Sequence, residues 1–436
     1  MQRRTFLKTS TLATAGFLSR PYKLYQADKI KIGIVGTGWW GRDFLTHYAL
    51  QSNEFEIIGI CDVNQKAIDL EVEKINSMGE KKPQVFAEYS KLLDMDGLQA
   101  VIISTPTHWH ALQFIAACGK GVDIWQEKPI SYDIREAQAM EAAHKKAGNV
   151  VNIDFPRIWT PLNAEIKDFI HSGQLGEIRQ IQFNVHSPNG TAPFAEVPAA
   201  IDYNAFCGPA PSLPYSSFPN SIGPAWRGQH GFSRGVLADW GIHYLQNIRE
   251  IMNLDLPDTI STISATTKAK NEHPNHQEIL FHFQGLPVQW SHKGWGYVAP
   301  LPHTNLGVFY HGSKGTIFSG DVGWEVYPAD RTAIKEYGAP KAHYGSPEYQ
   351  EGVDLVFNAQ FKAFAQAIRQ KTNEPIRGSF SDGFMSTAAV NLADIAMRTR
   401  LTIDLDQNTL EIKNNPEAQS QFIRKYREGY NHPYLT

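Results

Sequence analysis

Two short stretches of this sequence carry side chains suited to moving a proton. The first is Glu127-Lys128-Pro129, just past the run Val122-Asp123-Ile124-Trp125. A lysine is a compact charge whose pKa falls on desolvation, so it can bond and polarise a hydroxyl oxygen. The bland alternative is a solvated loop lysine. The second stretch is Asp239-Trp240-Gly241-Ile242-His243. Asp and His four residues apart share one helix face, and a carboxylate that fixes the imidazole tautomer makes His a good base near neutral pH. The alternative is an ordinary helix pair or a satisfied core histidine. Gly235 and Gly241 make a poor ordinary helix, which points to close approach of another group.

The element that would position these groups is Lys31-Ile32-Gly33-Ile34-Val35-Gly36-Thr37-Gly38-Trp39-Trp40-Gly41. Ile32 to Val35 reads as a buried parallel strand, and the glycines follow the G-x-G-x-x-G spacing. Gly36 allows the tight turn, Gly38 lets a pyrophosphate approach the backbone, and Gly41 lets the next helix pack closely. That helix, Trp39 to Leu50, would aim its N-terminal amides at the phosphates. A second strand, Phe55 to Cys61, ends at Asp62, about 20 residues on, where an acidic residue bonds the adenosine ribose. Its charge repels a 2′-phosphate and favours NAD. Lys66 nearby leaves NADP open, and the structural alternative for Asp62 is a helix N-cap or turn residue.

Strands and helices alternate from Lys29 to about Asp154. The strands are Pro83–Phe86, Leu98–Ser104, Val122–Trp125 and Asn149–Asp154; the helices are Gln65–Met78, Thr107–Cys118 and Asp133–Ala147. This pattern predicts an α/β Rossmann domain with a doubly wound parallel sheet. Past Arg157 the pattern changes. A helix at Leu162–Ser172 and a strand at Ile178–His186 precede a Pro/Gly/Asn/Ser-rich stretch, Ser187 to Gly231. Loops that long are usually functional. A helix at Gly235–Met252 and five strand-like segments between Thr259 and Phe318 predict an α+β domain with a mostly antiparallel sheet. Asp354–Arg369 and Ser381–Thr399 read as helices, Thr402–Leu405 as a strand, and Gln419–Thr436 as a tail lying on the surface or on a neighbour. The expected organisation is a signal and linker over 1–28, a dinucleotide-binding domain over 29–155, a substrate and oligomerisation domain over 156–400, and a strand and tail over 401–436.

The chain has 436 residues, 42% hydrophobic and 19% charged, with a net charge of −3. This is ordinary globular composition, ample for two cores, with nothing that favours nucleic acid or an anionic membrane. Cys61, Cys118 and Cys207 are scattered and odd in number, so they suggest neither a disulfide framework nor a zinc site. No segment after the leader approaches the ~18 apolar residues of a membrane span. The first residues, Met1-Gln2-Arg3-Arg4-Thr5-Phe6-Leu7-Lys8, precede a weakly apolar run, Leu12 to Leu18. They look like a twin-arginine export signal, which would place the protein in the periplasm. That route carries folded proteins, which suits an enzyme that folds around a cofactor in the cytosol. Cleavage sites near Ala13-Thr14-Ala15 and near Ala27 both fit.

The chain after residue 29 resembles the glucose–fructose oxidoreductase, inositol dehydrogenase and MocA family. The resemblance rests on the glycine motif, Ser104-Thr105-Pro106 with His110 downstream, Glu127-Lys128-Pro129, Gly173-Gln174-Leu175-Gly176, and Asp239 to His243. It implies that Lys128 contacts the reacting hydroxyl, that His243 is the general base or acid, and that Asp239 supports it. It also implies a sugar, glycoside or polyol substrate and a homodimer or homotetramer. Thr105 to His110 would run beside the cofactor, as would Glu127. Arg157, Trp226, Arg227 and His230 fall where the second domain should close over the substrate; Trp can stack on a sugar face and Arg can bond hydroxyls. His108-x-His110 reads as a helix-start pair, with a metal site a weaker alternative; no metal is expected. Three readings follow: an exported NAD(P)-dependent oxidoreductase with captive cofactor, a glycosidase or lyase using NAD in a transient oxidation, and a binding protein that has lost turnover.

Overall fold

The computed structural model describes residues 28–187, 192–266, 273–295, 305–339, 345–413 and 415–435. The arginine pair and both candidate cleavage sites lie outside these residues.

The first sheet takes the alternation in order. It runs β1 (Ile30–Val35), a π-helical segment (Gly41–Thr46) leading into α1 (His47–Gln51), β2 (Phe55–Cys61), α2 (Gln65–Ser77), β3 (Gln84–Phe86), α3 (Tyr89–Leu93), β4 (Ala100–Ile103), α4 (Thr107–Lys120), β5 (Asp123–Gln126), α5 (Ile134–Ala147) and β6 (Val151–Ile153). Strand order is β3-β2-β1-β4-β5-β6, and every pair is parallel. Helices cover both faces, which is why β4 is apolar and buried throughout. The order reverses between β1 and β4, so a crevice opens at their carboxyl ends.

The single α-helix expected over Trp39 to Leu50 is broken, because residues 41–46 are π-helical. Gly41 is pressed against the preceding turn: a Cβ there would stand 2.3 Å from the Gly36 carbonyl oxygen. Single π turns concentrate at functional sites.

The second half runs α6 (Pro161–His171), β7 (Ile178–Val185), α7 (Tyr203–Cys207), a second π segment (Leu237–Gly241), α8 (Ile242–Met252), β8 (Thr259–Thr266), β9 (His276–Phe283), β10 (Leu286–Lys293), β11 (Leu306–Gly312), β12 (Gly315–Ser319), β13 (Gly323–Pro328), β14 (Lys335–Gly338), α9 (Pro347–Gln370), α10 (Phe380–Thr399), β15 (Ile403–Asp406), β16 (Glu411–Ile412) and α11 (Pro416–Ser420). A ten-stranded sheet results, in the order β14-β13-β12-β11-β7-β10-β9-β8-β15-β16. Among the described residues only β7 and β10 pair in parallel in this sheet. Alternation along β9 buries Gln277, Ile279, Phe281 and Phe283 on one face.

Two helices join the halves. α9, grouped with the second domain by its sequence position, packs over the first sheet: the Phe361 ring stacks on Trp125 at 4.2 Å. α10 is buried almost end to end and packs on α5, α8 and β8. The stretch expected as a long loop, 187–231, holds α7 and a 3₁₀ turn at Trp226–Gly228, and its Phe206, Cys207 and Ala210 form a small core with Phe232. The C-terminal segment docks on this chain's own α5.

Candidate active site

The glycine turn leaves β1 with Gly36 at φ +96°, where an added Cβ would lie 2.7 Å from the Ser104 and Thr105 backbone. Ser104 Oγ donates to the Gly36 carbonyl at 2.6 Å, so the β1 and β4 turns are clasped together. Gly36→Ala should cost about 1–3 kcal/mol in backbone strain alone; urea unfolding of the variant checks this. Gly38, by contrast, faces open space, with nothing within 4 Å of its Cβ position. It lines a groove of about 690 Å³ with Gly36, Trp39, Trp40, Gly41, Asp62, Ser104, Thr105 and Pro106. An open glycine on the wall of a groove at the sheet's switch point fits a dinucleotide pyrophosphate. Asp62 Oδ2 accepts from Thr37 N at 2.7 Å and from Thr37 Oγ1 at 3.2 Å; Asp62 Oδ1 accepts from Asn64 N at 2.9 Å. These bonds fix the carboxylate at the groove wall. Lys66, which left NADP open, is exposed and is not among the residues lining the groove.

A second cavity, of about 400 Å³, adjoins the groove and shares Trp39, Trp40, Ser104, Thr105, Trp226 and Arg227 with it. Its remaining polar wall includes Glu127, Lys128, Arg157, Asp239, His243 and Asp321. Lys128 leaves the carboxyl end of β5. Its Nζ donates to the Asp239 backbone carbonyl and, at 3.1 Å, to Asp239 Oδ1. Arg227 Nε donates to the same Oδ1 at 3.2 Å, and the guanidinium lies over the Trp226 ring at 4.5 Å. Burial works against ionising Asp239, but the two cations outweigh it and hold the carboxyl well below its usual range.

His243 follows four residues later, but Asp239 does not orient it. The imidazole Nδ1 is buried with no hydrogen-bond partner. The intervening residues 237–241 are π-helical, and this wider turn spoils the i, i+4 alignment expected of an α-helix. The expected Asp239–His243 pair is therefore replaced by a Lys128–Asp239–Arg227 cluster with His243 beside it. Burial, and then the Lys128 and Arg157 cations, push the imidazole pKa well below its ordinary value. The His243 imidazole is thus neutral at neutral pH.

Other expected site residues divide. Trp40 Nε1 donates to Glu127 Oε1 at 2.6 Å. Glu127 is buried beside Asp154, and burial, reinforced by that second carboxyl group, raises its pKa. Arg157 lines the cavity but is held by Asp321, with Nη2 3.1 Å from Oδ2 and the guanidinium 4.6 Å from the Tyr244 ring centre. Three residues are on neither lining. Thr37 is fully buried and donates to Asp62 from its backbone and its hydroxyl. His110 is buried beneath the site, its Nδ1 2.7 Å from the Pro129 carbonyl oxygen and its Nε2 2.7 Å from that of Thr105. It braces the cofactor turn against the lysine turn and does not line the groove. His230 stands 3.5 Å from Asp394, in a cluster with Arg234, behind the cavity. For His108-x-His110, His108 Nε2 lies 2.8 Å from the Phe206 carbonyl oxygen, and both His110 nitrogens meet backbone carbonyl oxygens.

The sequence reading missed Asp154, Asp321, Tyr349 and the α9 residues Val353, Val356 and Phe357. All but Asp154 line the cavity. An amphipathic helix carries no local mark of which stretch reaches a site.

A family model described as the NAD-binding Rossmann fold of an oxidoreductase family, the one named for glucose–fructose oxidoreductase, inositol dehydrogenase and MocA, matches residues 30–155. The model of the C-terminal alpha/beta domain of that family matches residues 180–288. The chain belongs to this family. Its first domain is an NAD-binding Rossmann domain. A glycosyl hydrolase family 109 protein of Shewanella pealeana is 26% identical over 207 residues, covering 41% of this chain and 44% of that protein. Inositol 2-dehydrogenase 4 of Saccharopolyspora erythraea is 27% identical over 166 residues, covering 38% and 47%. The chain thus spans about half the length of the curated relatives it matches. A levoglucosan dehydrogenase solved with NADH and levoglucosan superposes at a TM-score of 0.66 with 18% identity, covering 87% of this chain and 100% of that one. An Agrobacterium radiobacter oxidoreductase in complex with NAD+, L-tartaric acid and magnesium gives 0.64, with 18% identity over 86% of this chain and 98% of that one. At such identities the likeness is one of fold.

Proposed function

We propose that this protein is an exported, NAD-dependent oxidoreductase that oxidises or reduces a ring carbon of a sugar, glycoside or polyol. The observation that carries the reading is the convergence of Lys128 and His243 on one cavity that opens beside the glycine-walled groove. Gly36, Gly38, Gly41 and Asp62 would hold the dinucleotide, which supplies a hydride acceptor or donor at its nicotinamide ring. Lys128 would donate a hydrogen bond to the reacting oxygen. His243, kept neutral, would take the hydroxyl proton in oxidation and return it in reduction. Asp239, kept anionic, holds the lysine ammonium in place. Trp226 and Arg227 supply an aromatic face and hydroxyl-bonding donors. The relatives support this reading: one is an inositol dehydrogenase and one neighbouring fold was solved with a sugar.

Export rests on Arg3-Arg4-x-Phe6-Leu7-Lys8. Among the described residues no helix is long and apolar enough to cross a membrane. An exported enzyme meets no soluble cofactor pool, so the dinucleotide should stay bound and be recycled by a second substrate. Denaturing the purified protein should release about one equivalent of NAD(H), identified by mass and absorbance. Protein that arrives empty and fails to bind added NAD(H) would overturn the proposal.

The glycosyl hydrolase relatives favour a second reading, a redox-neutral glycosidase on the same residues. Free sugar released from a glycoside with no net change at 340 nm would select it.

A further inference from the structure

We propose that the C-terminal segment is a working part of the dinucleotide site, with Tyr430 completing an aromatic wall at the adenine end. Tyr430 lines the groove together with Tyr89 and Trp109. Its ring meets Trp109 edge-on at 5.6 Å, and Trp109 meets Tyr89 edge-on at 5.9 Å. The three rings come from three separate places: the start of α3, the start of α4 and the chain's end. They share the groove with Asp62, the residue set to bond the adenosine ribose. A flat purine is the part of the cofactor that such a wall suits, because base–aromatic stacking needs no particular hydrogen-bond pattern.

The segment is built to hold Tyr430 there. Arg424 donates from its backbone to Asp133 Oδ2 (2.9 Å), from Nε to Glu136 Oε1 (2.8 Å) and from Nη2 to the His108 carbonyl (2.8 Å). Tyr426 Oη donates to the same Glu136 oxygen (2.8 Å), and His432 Nε2 lies 3.1 Å from Asp133 Oδ2. These three side chains pin the segment to the N-terminal capping box of α5. Between them Arg427 reaches the other way. Its Nη1 and Nη2 donate to Asn204 Oδ1 (2.8 Å) and to the Asn204 carbonyl (2.9 Å) of α7, and its backbone N–H donates to the Pro209 carbonyl. The backbone N–H of Tyr430 donates to the Arg427 carbonyl at 3.1 Å. The segment thus straps the Rossmann domain to the 187–231 stretch, which contributes Ile201, Ala205, Phe206 and Ile222 to the groove lining. On this assignment, release of the cofactor requires the loop around Arg427 and Tyr430 to lift between its two anchors on the α5 cap, Tyr426 and His432.

The test uses the full-length protein stripped of dinucleotide. NADH binding and release are followed by fluorescence for wild type, Tyr430→Ala, Tyr430→Phe and Arg427→Ala, with AMP and reduced nicotinamide mononucleotide as probes of the two halves. Tyr430→Ala should weaken NADH and AMP on the order of 10-fold, mostly through faster release. Tyr430→Phe should keep wild-type affinity, and the mononucleotide, which lacks adenine, should bind all four proteins alike. Arg427→Ala should speed NADH release with an unchanged melting temperature of the stripped protein. Wild-type NADH affinity and release rate in Tyr430→Ala would overturn the proposal, as would equal weakening of AMP and mononucleotide. Wild-type protein that binds no dinucleotide would instead overturn the cofactor assignment itself.

Discussion

Lys128→Met and His243→Asn should each lower kcat/KM for the oxidised sugar by about 10³-fold, the range in which positioned acid–base groups act, while NADH still binds. Both side chains sit on the cavity wall beyond the glycine-lined groove, so neither is needed to hold the dinucleotide. Their pH behaviour separates their roles. Burial and the Lys128 and Arg157 cations depress the His243 pKa. A depressed pKa keeps the imidazole neutral as pH falls, so the acid limb of kcat/KM for oxidation should lie below pH 6.5, the ordinary histidine value. Removing the Lys128 cation takes away one of the groups that disfavours imidazolium. The residual activity of Lys128→Met should therefore show its acid limb moved upward, toward 6.5. Asp239→Asn should act differently: it removes an anion that favoured imidazolium, so the limb should move down, and Lys128 loses its tether. A wild-type acid limb at or above 6.5, or a limb that stays put in Lys128→Met, would remove His243 from the proton-accepting role.

What the residues revealed in advance follows a physical line. The parallel sheet was legible because its strands are buried on both faces and so read as unbroken apolar runs, Ala100 to Ile103 most plainly. The glycine turn was legible because each glycine answers a steric demand within a few residues: Gly36 against Ser104 and Thr105, Gly41 against Gly36. The Asp239–His243 pairing was misread because spacing rules assume 3.6 residues per turn, and 237–241 do not keep that period. Lys128 and Asp239 lie far apart in sequence yet meet; no local period reports such a contact. Asp321 and α9 escaped for the same reason. His110 was given a place along the groove because it follows Ser104-Thr105-Pro106, but α4 turns its ring inward, where the Thr105 and Pro129 carbonyls hold it. The C-terminal tyrosines carried no sign of their destination, which is set by Asp133 and Glu136 on α5.

Asp321→Ala should be the most damaging single change away from the proton-transfer groups. Asp321 lies at the tip between β12 and β13, with its side chain 8% exposed and that of its partner Arg157 14%. Its carboxylate takes both terminal guanidinium nitrogens, Nη1 and Nη2, and Oδ1 also accepts from Tyr244 Oη at 2.8 Å. Removing it strands a buried cation and a buried hydroxyl together. Breaking such a pair from one side costs about 3–5 kcal/mol, because the remaining charge has no compensation. The loss should appear as a lower urea midpoint. The double variant Arg157→Leu/Asp321→Leu should regain most of that midpoint, since replacing both partners with apolar side chains leaves no orphaned charge. It should not regain substrate affinity, because Arg157 would no longer present its free N–H groups to the cavity. Recovery of stability without recovery of KM would mark the pair as a support that also carries a substrate donor. If KM recovered as well, Arg157 would be structural only, and the hydroxyl-bonding donors of the cavity would reduce to Arg227 and Lys128. An Asp321→Ala variant that unfolds at the wild-type midpoint would show that the ion pair contributes nothing to tying the β12–β13 tip to the Pro156–Trp159 turn and to Tyr244.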